Sequence, residues 1–176
     1  KNVENINAAT DALVEATEAL EAVKVAENKV SEATEALGAA KGAATQAEEN
    51  SAVAEGAVTQ AEEAVKVAEN KVLEVTENLA VAQAALKQAK ESGNSDEIAE
   101  ATERVEKAEV DLAVAQGEAV EATEGLEKAE ADLAVAQGTV AEATERVEKA
   151  EVDLAAAEAE LAEAIEKAEA AKGNAK

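Results

Sequence analysis

The stretch ATERVEKAEVDLAVAQGEAVE (101–121) recurs as ATEGLEKAEADLAVAQGTVAE (122–142) and again as ATERVEKAEVDLAAAEAELAE (143–163). The period of 21 residues is three heptads, so the unit beneath the repeat is seven. With Ile98 at position a, the same position holds Val105, Leu112, Ala119, Leu126, Leu133, Val140, Val147, Leu154 and Leu161. Position d is Ala at every turn from Ala101 to Ala164. A sustained 3.5-residue apolar repeat is the mark of helices wound into a left-handed supercoil.

The same rule reads backwards into the first half of the chain, more loosely. Position a holds Val30, Leu37, Ala44, Ser51, Val58, Val65, Val72, Leu79 and Leu86; position d is Ala from Ala33 to Ala89 except at Val75. EAVKVAENKV occurs at 21–30 and at 63–72, six heptads apart. Large residues at a with Ala at d carry topology. A parallel pair would stack Ala on Ala in every second layer and leave it thinly filled. An antiparallel pair sets a against d, so each Val or Leu meets an Ala and the helices approach closely. The expected fold is therefore all-α: a long antiparallel helical hairpin with an Ala-rich, Alacoil-like seam, able to associate into a larger bundle.

The turn is expected within Glu91-Ser92-Gly93-Asn94-Ser95-Asp96, where the heptad phase is lost between Leu86 and Ile98. Gly93 and Asn94 suit a helix C-terminus and tight turn, and Ser95 or Asp96 can cap the following helix. The chain then reads as one elongated domain: a helix over about 3–91, a turn over about 92–96 and a helix over about 97–172. Folding about Asn94 brings Lys172 near Ala16. Ile6, Leu13 and Leu20 sit on a different frame from Val23 and Val30, which predicts a stammer where the partner helix runs out. At 1.5 Å per residue the second helix implies a length of about 115 Å. Glu48-Glu49-Asn50-Ser51 offers a second turn and a three-helix alternative, but heptad phase continues through Ser51, which favours an unbroken helix.

Composition narrows function. The chain has no Cys, His, Pro, Met, Phe, Tyr or Trp, and a net charge of −24. Without His or Cys it cannot build the usual zinc or di-iron sites. No EF-hand loop or phosphate-cradling Gly motif is present. The carboxylates lie on solvated helix faces without a pocket to tune them for acid–base work. No catalytic residue, cofactor or metal ligand is therefore assigned, and no small-molecule substrate is expected. A surface this acidic repels phosphate, which argues against nucleic acid as a partner. No run is apolar enough for membrane insertion. The start at Lys1 rather than Met reads as a processed product or an excerpt of a longer protein.

The carboxylates are expected to pair within their own helix at i,i+4, as in Glu100–Arg104, Glu103–Lys107, Glu124–Lys128, Glu142–Arg146 and Glu145–Lys149. Thr102, Thr123 and Thr144 recur every 21 residues at position e. Val110, Val114, Val135 and Val152 lie off the seam and are candidates for a self-association surface. The stretch EKAEADLAVAQ (127–137) resembles the alanine-rich heptad stalks of bacterial surface proteins, of the pneumococcal surface protein type. The expected role is a non-enzymatic structural or adhesive rod that spaces, presents or scaffolds protein partners, at a cell surface, outside the cell or on a virion. Two alternatives are a fibre subunit joined through the N-terminal overhang and a protectant like late-embryogenesis-abundant proteins.

Overall fold

In the computed structural model, which describes residues 1–176, two helices pack against one another as a hairpin and there is no strand. Helix α1 is Asn2–Ser92 and helix α2 is Ser95–Asn174. The turn is shorter than expected. It consists of Gly93 and Asn94, because Ser92 still belongs to α1 and Ser95 already belongs to α2. Helix α1 runs unbroken through Asn50, which removes the three-helix alternative. Contacts divide the chain into two compact units, one of residues Asn50–Gln137 and one of Lys1–Glu49 with Gly138–Lys176.

The turn unit, Asn50–Gln137, is closed by backbone chemistry. Gly93 has φ of +73°, a left-handed conformation that disfavours any residue with a Cβ. From there its N–H donates to the Ala89 carbonyl at 3.2 Å, the single bond that ends a helix in the αL motif. Asn94, rather than Ser95 or Asp96, caps α2. Its Oδ1 accepts from the Asp96 N–H at 3.0 Å and the Glu97 N–H at 3.4 Å, while its carbonyl accepts from the Ile98 N–H at 3.0 Å. An amide side chain reaches both donors one residue earlier than Ser95 could, so α2 begins sooner than its hydrophobic pattern. The Ser92 hydroxyl lies 2.8 Å from the Ala89 carbonyl and 2.9 Å from Glu97 Oε2, tying the two helix ends together.

Burial within each unit follows the heptad. In the turn unit the buried residues are Ala68, Ala89, Ala101, Ala108 and Ala115; in the other they are Ala26, Ala47, Ala143, Ala157 and Ala171. Every one occupies position d. From Val23 to Ala171, the half-buried residues are those at a and the remaining d positions, joined only by Ala85 and Thr102 beside the turn. No large side chain is fully buried. The seam therefore rests on many partial burials rather than on a thick core, each half-covered Val or Leu contributing about 1 kcal/mol.

The second unit corrects the reading of the N-terminus. There is no change of phase at residues 16–23. Ala12, Ala16 and Ala19 are half-buried at d, a and d of the same frame, and the seam continues on these small residues. Ile6, Leu13 and Leu20 instead stand exposed, at 63%, 63% and 60%. The largest apolar side chains suggest a stammer here, but they do not mark the buried face. The helix keeps its phase because close packing against α2 needs small residues there, not large ones.

Candidate functional site

The ionic contacts fix how the helices face each other. Lys29 Nζ lies 2.9 Å from Glu160 Oε2 and Lys71 Nζ lies 2.7 Å from Glu118 Oε2, all four residues at position g. Lys41 and Glu151, both at position e, approach to 4.0 Å. Pairing of g with g and e with e is the antiparallel signature, since parallel helices pair g with e. In this register Leu86 comes level with Ala101, Ala89 with Ile98, and Val72 with Ala115. Each is an a position against a d position, as the alternation of large residues and Ala requires. The predicted proximity of Ala16 and Lys172 also holds: both line one groove.

The expected intrahelical pairs do not close. None of the five named from the repeat reaches ion-pair distance, and the i,i+4 pair present is Glu163–Lys167, at 2.9 Å. The cross-helix pairs join residues far apart in sequence, and an i,i+4 spacing within one helix does not contain them. The cross-helix pairs are about half exposed and Glu163–Lys167 more so, so each adds at most about 1 kcal/mol and less in salt.

The recurring threonines have a structural use. Thr102, Thr123 and Thr144 donate their hydroxyls to the carbonyls of Ile98, Ala119 and Val140 at 2.7–2.9 Å. Those hydrogens are engaged by the helix itself and are not presented to a ligand. The four off-seam valines are all exposed, but they do not form one patch. Val110 and Val114 lie one turn apart in the turn unit. Val135 follows Val114 by 21 residues, about 30 Å along the helix, and Val152 belongs to the other unit.

Two grooves mark the open end of the second unit. One, of about 410 Å³, is lined mainly by apolar side chains, Ala16, Leu20, Val23, Ile165 and Ala168 among them, with Glu169 and Lys172 at its edge. The other, of about 540 Å³, carries Glu15, Glu18, Glu160, Glu163 and Lys167 over a floor of alanines. No group of three or more Asp or Glu is arranged to hold a metal ion. No helix is long and apolar enough to cross a membrane. Comparison with family models, with curated proteins and with solved structures finds no match to this chain.

Proposed function

We propose that this chain is a non-enzymatic coiled-coil scaffold that spaces, presents or holds together protein partners at a cell surface or on a virion. The observation that carries the reading is the division of labour between positions. All ten buried residues are alanines of the seam, and no charged or polar residue is buried. The whole acidic complement is left on the outside, where it keeps neighbouring molecules apart and the helices solvated. Such a sequence invests in a long, regular surface rather than in an enclosed site. The resemblance of residues 127–137 to bacterial surface stalks points the same way.

The test is scattering and circular dichroism on the purified chain in dilute buffer. A scaffold is strongly helical without a cosolvent and has a maximum dimension near the length expected from its heptads, about 115–135 Å for a monomer. A disordered chain that gains helix only on drying would favour the protectant reading instead. A second functional reading, in which copies join through the N-terminal segment, is favoured by the exposed stripe of Ile6, Leu13 and Leu20.

A further inference from the structure

We propose that a break in heptad phase at the turn is the device that keeps this chain a closed hairpin, by denying its seam to a second copy. The seam contacts of the turn unit all run between α1 and α2. Leu86 comes level with Ala101, Ala89 with Ile98 and Val72 with Ala115, and Lys71 pairs with Glu118 beside them. None of these contacts requires both helices to belong to one chain. Two extended copies laid antiparallel would pair the same residues, α1 of each on α2 of the other, about a two-fold axis between positions 93 and 94. Exchange of an identical element is a low-cost route to a dimer, and short connections between long elements invite it. The seam carries no other guard against exchange: it buries no polar or charged residue of the kind that fixes partner and register in coiled coils.

Phase supplies the guard. An extended copy runs as one helix through Gly93 and Asn94. Leu86 and Ile98 both hold position a, but twelve residues separate them where an unbroken seam needs two full heptads. The two missing residues, each about 100° of helix rotation, swing the seam of α2 round by about 160° from that of α1. One half of the extended helix would then turn its apolar face to the neighbour and the other half would turn it away. The closed form escapes this conflict. The chain leaves α1 at Gly93, with φ of +73°, and enters α2 under the Asn94 cap, so each helix is free to aim its seam at the other. The Ser92 hydroxyl, 2.9 Å from Glu97 Oε2, joins two helix ends that one continuous helix would separate.

The test restores the phase in the whole chain. Gly93→Ala and Asn94→Ala, with two alanines inserted between them, put positions 93 and 94 at a and d and give one seam from α1 into α2. That variant should open into an antiparallel dimer, with mass by sedimentation approaching twice 17.9 kDa and a maximum dimension by scattering about double the parent's. The same two substitutions with four inserted alanines lengthen the segment further but throw the seams out of phase by the same angle in the opposite sense. That variant should keep the parent's mass and length, and so should the two substitutions without any insertion. Helicity is followed for all of them. A two-alanine variant that is monomeric, unfolded or no longer than the parent would overturn the proposal. So would the long dimer arising from the four-alanine variant, from the substitutions alone or from the parent itself. Closed and exchanged rods present the same outer surface, so the scaffold reading does not depend on which is found.

Discussion

The two ends of the hairpin solve opposite problems with the same amino acids. At the closed end, Ser92–Glu97, the backbone does the work. Gly93 takes a left-handed φ, Asn94 caps α2, and Ala89 and Ala101 are buried beside Leu86 and Ile98 at the seam. There the largest apolar residues and the buried face coincide. At the open end they part company. Ala12, Ala16 and Ala19 hold the seam while Ile6, Leu13 and Leu20 stand outside it. The contrast teaches that in an Ala-rich hairpin the inward face is set by phase and close approach, not by hydrophobic bulk. Bulk placed outside the seam is free for another contact.

The sharpest way to break this comparison is to put bulk where only Ala fits. Ala115 is completely buried, so Ala115→Leu should overpack the seam and cost about 1–3 kcal/mol in thermal unfolding. Ala12→Leu, at the half-covered open end, should cost under about 1 kcal/mol. Equal losses at the two sites would end the argument from close approach. Next in size is the turn. Gly93→Ala should lose about 1–2 kcal/mol through the left-handed φ, and Asn94→Ala about 1 kcal/mol through the lost cap. A neutral Gly93→Ala would mean that the chain closes by some other turn.

Gly117 and Gly138 should respond in the opposite direction. A Cβ built at either position meets nothing within 4 Å, so Ala substitution should add up to about 1 kcal/mol per site by helix propensity alone. Destabilisation there would reveal a neighbour packed on that face in solution. The smallest effect belongs to the cross-helix ions. Lys71→Ala should cost less than about 1 kcal/mol, with the difference from the parent shrinking as salt is added. A larger, salt-insensitive loss would show that the lysine stem, and not its charge, matters at that position.

Much of the fold was legible because it repeats. The heptad phase from Val23 to Ala171, the alternation of large residues with Ala, and the turn at Gly93–Asn94 are local patterns, and each holds in the structure. Two readings failed where local information ran out. The five i,i+4 pairs expected in α2 obey helix spacing yet do not close, while Lys29, Lys41 and Lys71 of α1 meet carboxylates of α2 across the seam. The N-terminal frame was misassigned because the spacing of Ile6, Leu13 and Leu20 is as regular as that of the true seam. Periodicity identifies an apolar stripe without saying which neighbour covers it.

The sequence by itself determined the helices, their antiparallel pairing and the place where the chain turns, because these follow from a seven-residue period and from the backbone freedom of one glycine. Tertiary structure alone decided which of two apolar stripes at the N-terminus faces inward and which lysines meet which glutamates. Both depend on the register and separation of two helices. Those are set by how deeply alanines let the backbones approach, a quantity that no single stretch of sequence contains.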